Sequence, residues 1–373
     1  MDTKQRQKIL VYLIGSLGDT IVAIPALRAV RRHFPEAEIV LLQNTQPGNV
    51  VTASQVIPKE LIDRSLDYTS NSGSISSYFG LWKKLRAERF DAAIYLVISE
   101  RPERSARRDR LFFSLCRIKH LIGFHAFTAQ QLYPTDPSGH PAETEHEALK
   151  KLARLEKDGI SISRAEALRL PLFDIKPSER EEMQEWLGSQ RNKPDLPLLA
   201  LAPGCKTPAN AWPTENFTAI AKLLIEQHAC EILIVGGPAE TKLGDKLVTE
   251  LGCGINAAGK FDVRGSTALL SLCDLYFGLD TGTTHLAASV GTPCVALFHE
   301  RDNPGQWFPL GDGHTILQHD VSCAGCRVHE CPVVGHPCMS GIPVEPVFNE
   351  LMKRLRSIQS VSEQLFPRNV IKV

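Results

Sequence analysis

Neither sign of charge prevails in this 373-residue chain: 42 Lys and Arg balance 42 Asp and Glu, for a formal net charge of 0. That balance excludes a general nucleic-acid binder, which carries a basic excess, and leaves room for local basic patches. Long hydrophobic runs are missing too. No apolar stretch nears the roughly 20 residues that cross a bilayer. The first one, Ile9 to Ile14, is too short for a signal-peptide core and runs straight into Gly15-Ser16-Leu17-Gly18-Asp19. It reads as the first strand of a cytoplasmic protein. The Gly-x-Gly-x-x-Gly fingerprint and the Gly-Lys-Ser/Thr signature are both absent. Dinucleotide and P-loop readings are therefore weak, and a dehydrogenase is the least favoured enzyme class. No sequence repeat is present.

What is there suits two ordinary globular domains. Hydrophobic residues make up 43% and charged residues 23%, and the length exceeds what one core usually serves. Short β-branched runs alternate with helical periodicities. Strands are expected at Ile9–Ile14, Glu38–Leu42 and Phe90–Ile98, with helices at Thr20–Phe34 and Ser76–Arg89. A polar, proline-punctuated stretch follows residue 165, with a short helix near Glu179–Leu187 and a linker near 176–197. The pattern then restarts. Strands are expected at Leu198–Ala202, Glu231–Val235, Leu275–Leu279 and Cys294–Phe298. Helices are expected at Thr214–Gln227 with a cap at Thr214, at Ser266–Leu272, at Thr283–Val290 and at Val344–Ser357. Strands separated by helices imply parallel pairing with right-handed crossovers. The expected organisation is two doubly wound domains facing across a cleft: 1–190, 198–345, and a C-terminal helix and tail over 346–373.

Three loops carry the chemistry. Gly15 to Thr20 lets the backbone turn tightly and stands Asp19 at the carboxyl edge of a sheet, with a helix cap as the bland alternative for Asp19. In Ala202-Pro203-Gly204-Cys205-Lys206-Thr207-Pro208, Lys206, Thr207 and the backbone amides could hold phosphate oxygens. Trp212 before Pro213 reads as loop packing. Asp280-Thr281-Gly282-Thr283-Thr284-His285 is a strand, a glycine turn and a helix start, where free amides attract a diphosphate. Capping by Thr283, with His285 tucked against the sheet, is the bland alternative.

Together these residues resemble glycosyltransferase family 9, the ADP-heptose:lipopolysaccharide heptosyltransferases. The resemblance is carried by Gly18-Asp19 with Pro25 and Leu27, Pro203-Gly204 with Trp212-Pro213, Gly236-Gly237-Pro238-Ala239-Glu240, and Asp280-Thr281-Gly282 with His285-Leu286-Ala287-Ala288. It implies a GT-B fold of two Rossmann-like domains, acceptor on the first and donor on the second, and inversion without a catalytic cofactor. Asp19 would be the general base. Lys206, Thr207, Glu240, Asp280, Thr281, Gly282, Thr283 and His285 would bind the donor, ADP-heptose. Glu240 would hold the ribose and Asp280 the sugar. The family carries a lysine just before the Trp-Pro pair; here Asn210 and Ala211 stand there, and Lys206 belongs to the same loop. The acceptor would be a lipopolysaccharide core or related lipid-linked surface glycan. Alternatives are another nucleotide sugar, a protein acceptor, a nucleotide-sugar epimerase, or a non-catalytic nucleotide-sugar binder.

Two clusters remain. Arg104, Arg107 and Arg108 lie in a basic stretch that could grip a phosphorylated acceptor or rest on the cytoplasmic face of the inner membrane; a solvated helix face is the alternative. Cys323, Cys326, Cys331 and Cys338 put four thiols in an irregular loop, a donor set for a structural zinc or iron, with reduced structural cysteines the alternative. The other six cysteines read as reduced core residues.

Overall fold

The computed structural model describes residues 6–45, 51–69, 75–360 and 368–373. They fall into two compact units, Met1–Pro134 with Thr144–Leu172, and Thr135–Glu143 with Phe173–Val373.

The first unit holds five strands: β1 Lys8–Leu13, β2 Glu38–Asn44, β3 Arg64–Tyr68, β4 Ala92–Tyr95 and β5 His120–Ile122. They lie in the order β3-β2-β1-β4-β5, and every pairing is parallel. Both faces of such a sheet are covered, so its strands are apolar throughout. Leu10, Tyr12, Val40, Leu42, Ala93 and Tyr95 line one buried face, packed with Phe113 and Cys116. The single helix expected over Thr20–Phe34 is two, Leu17–Ile21 and Ile24–His33. Pro25 lies in the first turn of the second, the place where its missing N–H costs nothing. β4 is shorter than expected, and its exit is held by buried charges from the helix Glu147–Lys157. Lys151 pairs with Glu147 at 2.8 Å and donates to Leu96 O, while Arg154 donates to Val97 O at 2.7 Å.

The second unit holds β6 Leu198–Ala202, β7 Glu231–Ile234, β8 Ile255–Asn256, β9 Leu275–Leu279, β10 Cys294–Leu297, β11 Thr315–Gln318 and β12 Asn369–Lys372. Their order is β12-β11-β10-β9-β6-β7-β8, again parallel throughout. Sequence order runs outward in both directions from β6, so the switch point lies between β6 and β9. Leu199, Leu201, Ile232, Phe277, Val295 and Leu317 share a core with the helices Thr214–Glu226 and Val344–Gln359.

Three boundaries differ from those read in the sequence. The helix Pro177–Gln190 packs on the second unit, where Glu179 pairs with Arg264 at 2.5 Å and Trp186 meets Phe261 edge-on. The C-terminal helix is core rather than appendage, and β12 extends the sheet; residues 361–367 of the expected tail lie outside those described. Thr214 is the first helical residue and Pro213 the cap, its extended ψ of 130° giving the non-helical entry that a cap position has. Among the described residues no helix is long and apolar enough to cross a membrane.

Candidate functional site

Asp19 stands just beyond the carboxyl end of β1, in the first turn of Leu17–Ile21. Its Oδ2 accepts from Ser16 N at 2.6 Å and from Ser16 Oγ at 2.8 Å. The cap reading is thus correct in part: Asp19 closes a capping box from inside the helix. The same bonds fix the carboxylate and leave Oδ1 for a ligand. Gly15 is required beside it, since a Cβ there would lie 2.2 Å from Asp19 Cβ.

In the second unit, the loops after β6, β7, β9 and β10 emerge side by side at the carboxyl edge. Lys206 is exposed, with no ion pair among the described residues, at the start of the loop after β6. Thr207 precedes the short turn Pro208–Asn210. Glu240 folds back over two glycine turns. Its Oε2 accepts from Gly237 N at 2.8 Å, and a Cβ on Gly204 would lie 2.3 Å from its Cγ. After β9 the helix Gly282–Ser289 starts with Thr281 as its cap, not Thr283. Thr284 N and His285 N bond back to Thr281 O, which leaves the Gly282 and Thr283 amides for an anion. His285 is buried and packs edge-on to Trp307, 6.5 Å between ring centres.

Two side chains explain the departure before Trp212-Pro213. Asn210 is buried and donates from Nδ2 to Asp280 O at 2.8 Å, which ties the β6 loop to the β9 loop across the switch point. Trp212 is buried and donates from Nε1 to Ile342 O at 3.1 Å, so it packs the loop as expected. Asn210 therefore serves the frame, and Lys206 is the cation this loop offers.

Sequence reasoning missed the loop after β10. His299 is buried, and its Nε2 lies 2.9 Å from Asp280 Oδ2. Asp302 Oδ2 lies 3.9 Å from the same nitrogen. The signal was present: a run of titratable residues, His299 to Asp302, closes the strand beside the one that ends in Asp280.

The basic stretch forms the helix Glu103–Leu115 of the first unit. Arg104 is exposed, Arg107 pairs with Glu103 at 2.7 Å one turn away, and Arg108 pairs with the buried Asp109 at 2.8 Å. Asp109 also receives Arg101 and the Tyr95 hydroxyl, each at 3.2 Å. Beyond β3, a cavity of about 270 Å³ is lined by Asp67, Tyr68, Thr69, Ser77, Tyr78 and Lys84 among others. The helix Ile75–Glu88 and its neighbour expose Tyr78, Phe79, Leu111 and Leu115.

Cys323, Cys326, Cys331 and Cys338 line one void of about 10 Å³, together with Glu300, Arg301 and others. Burial pushes the Cys338 thiol up and the other three thiols add to it, while the Glu300 N–H pulls the other way. The donor set suits zinc or iron. The sulfurs are not drawn together to a common ligating point: among the described residues only His140, Glu300 and Asp320 bring their ligand atoms within 4.8 Å of one another. There the Lys372 ammonium already bridges Glu300 and Asp320. Of the scattered cysteines, Cys116, Cys230, Cys273 and Cys294 are buried as expected, whereas Cys205 is half-buried and Cys253 exposed.

Comparison with known proteins bears on both units. The family model described as glycosyltransferase family 9 (heptosyltransferase) matches residues 78–335. Lipooligosaccharide heptosyltransferase 2 of Campylobacter jejuni subsp. jejuni serotype O:6 is 26% identical over 353 residues, 93% of this chain and 98% of its own length. A glycosyltransferase family 9 structure from Veillonella parvula aligns with a TM-score of 0.70 at 21% identity, covering 94% of this chain and 98% of its own. The Escherichia coli ADP-heptose lipopolysaccharide heptosyltransferase II aligns at 0.67 and 18% identity, covering 95% and 100%. The likeness extends over both units and gives the fold as GT-B.

Proposed function

The chain belongs to glycosyltransferase family 9, the heptosyltransferase family, and on that premise we propose that it moves heptose from ADP-heptose onto a lipopolysaccharide core with Asp19 as general base. The fixed Asp19 carboxylate, one oxygen tied to Ser16 and the other open, is the observation that carries the reading.

Asp19 takes the proton of the acceptor hydroxyl as that oxygen attacks the anomeric carbon from the face opposite the nucleotide. The new glycosidic bond forms as the bond to the diphosphate oxygen breaks. ADP leaves with the bonding pair, and the configuration inverts. The Gly282 and Thr283 amides and the Lys206 ammonium supply donors for the charge that develops on the diphosphate. Glu240, folded over the glycine turns at 204 and 236–237, would hold the ribose. Asp280 takes the sugar hydroxyls, and His285 lines the same wall.

On the acceptor side, Arg104, Arg107 and Arg108 share the helix Glu103–Leu115 with the exposed Leu111 and Leu115. That mixture suits a phosphorylated, lipid-anchored glycan and contact with an anionic bilayer. The family reading needs no cofactor for transfer. For the four cysteines, whose donor set suits zinc or iron but whose sulfurs do not converge here, we propose a structural ion that would draw them together, order the loop and take no part in transfer.

The test is transfer from ADP-heptose to core-lipid acceptor by wild type and Asp19→Asn. Loss of ~100-fold or more in kcat, with donor affinity retained, is the expected result. A variant with wild-type kcat would remove Asp19 from the mechanism.

A further inference from the structure

Resting on the reading that Asp280 holds the donor sugar, we propose that His299 is the positioning residue that sets the Asp280 carboxylate. The two lie at the ends of neighbouring parallel strands, where Asp280 N donates to Leu297 O at 3.1 Å. His299 is 4% exposed and cannot exchange its partners for water. Its Nδ1 accepts from Arg301 N at 3.3 Å. That assigns the ring proton to Nε2, which lies at ion-pair distance, 2.9 Å, from Asp280 Oδ2. The contact occupies Oδ2 and leaves Oδ1 for a hydroxyl of the sugar.

The backbone that carries the ring is held as well. Gln318 Nε2 donates to His299 O at 3.2 Å. The next two residues are pinned by the cysteine loop: Gly325 N donates to Glu300 O at 2.7 Å, and Arg327 N to Arg301 O at 3.0 Å. Asp302, paired with Arg301 Nε at 3.2 Å, lies 3.9 Å from the same Nε2 that faces Asp280. With Asn210 fixing the Asp280 backbone, both ends of that residue are determined, the carbonyl from the β6 loop and the carboxylate from the β10 loop. A carboxylate so placed meets the sugar in one rotamer and loses no freedom on binding. His299 touches no substrate in this assignment and acts only through Asp280.

The experiment compares full-length wild type, His299→Leu, His299→Gln, Asp280→Ala and the Asp280→Ala/His299→Leu double variant. It measures calorimetric affinity for ADP and for ADP-heptose, steady-state kcat and KM, and melting temperature. Leucine fills the site without a donor; glutamine carries an amide N–H that reaches the Nε2 position. Expected for His299→Leu is ADP affinity within about twofold of wild type and kcat/KM for ADP-heptose lower by roughly ten- to a hundredfold, the range for a lost hydrogen bond to a charged group. Glutamine restores most of it, and the double variant is no worse than Asp280→Ala. Unchanged transfer in His299→Leu overturns the proposal, and so does a parallel loss of ADP affinity and melting temperature that glutamine does not rescue. If wild type itself neither binds nor turns over ADP-heptose, the donor reading fails and takes the proposal with it.

Discussion

Side chains at this site are held by glycine and by one another, and that makes single substitutions informative. Alanine at 15 would place its Cβ 2.2 Å from Asp19 Cβ, so the carboxylate or the helix start must move. Gly15→Ala is expected to lower kcat by roughly a hundredfold, the scale of an ångström's misplacement, with donor KM unchanged in steady-state assays. Lys206 makes no ion pair among the described residues and is free to meet phosphate. Lys206→Ala should raise donor KM about tenfold, as a charged hydrogen bond is lost, and leave the melting temperature unmoved. At this scale the sequence placed Asp19 and Asp280 in loops directly after strands, and the structure has them just past β1 and β9. It was misread where the partner comes from elsewhere in the chain. Nothing adjacent in sequence tells that Asn210 bonds Asp280 O, or that His299 faces Asp280 Oδ2. Nor does composition distinguish a cap at Thr281 from one at Thr283.

Helices and strands were legible wherever a hydrophobic period ran uninterrupted. β1, β2, β6, β9 and β10 fall where expected because strands buried on both faces read as unbroken apolar runs. The misses have physical causes. β8 spans two residues, too few to show a period, and β12 is a mostly exposed edge strand with little apolar signal. The helix Glu147–Lys157 buries Glu147, Lys150, Lys151 and Arg154, so its buried face does not look apolar. Those buried charges hold the β4 exit, and their removal should be felt there. Glu147→Gln weakens the pair with Lys151 and the bond from Ser99 N at 2.8 Å. A buried ion pair broken on one side costs about 3–5 kcal/mol, so a fall of that order in urea unfolding is the expected result.

At the scale of the whole molecule, stability is linked to pH through a buried histidine. His314 is held neutral: its Nδ1 accepts from Cys294 N at 3.2 Å and its Nε2 donates to Leu310 O at 2.9 Å. Burial, the largest cause, pushes its pKa down to about 4 from an ordinary 6.5. The unfolded chain then binds more protons than the folded one between those values. This contribution is fully present above the ordinary value and is lost as pH falls toward the folded one, at up to about 1.4 kcal/mol per pH unit. Urea midpoints should drop between pH 6.5 and 4, and His314→Asn should flatten that part of the profile. Metal analysis of the purified chain tests the cysteine void: one zinc or iron per chain, released when Cys323 and Cys326 are replaced by serine, is the expected result, and a metal-free, equally stable wild type would remove the assignment.

The bond from Asn210 ends on the carbonyl of Asp280 and not on its carboxylate. A carbonyl is common to all twenty amino acids, so the tie between these two loops is indifferent to which residue occupies position 280. Over evolutionary time that separates two demands usually in conflict. On the proposed donor reading, the side chain at 280 can drift toward a different sugar while the scaffold stays intact, and the histidine beside it is the part that changes in step.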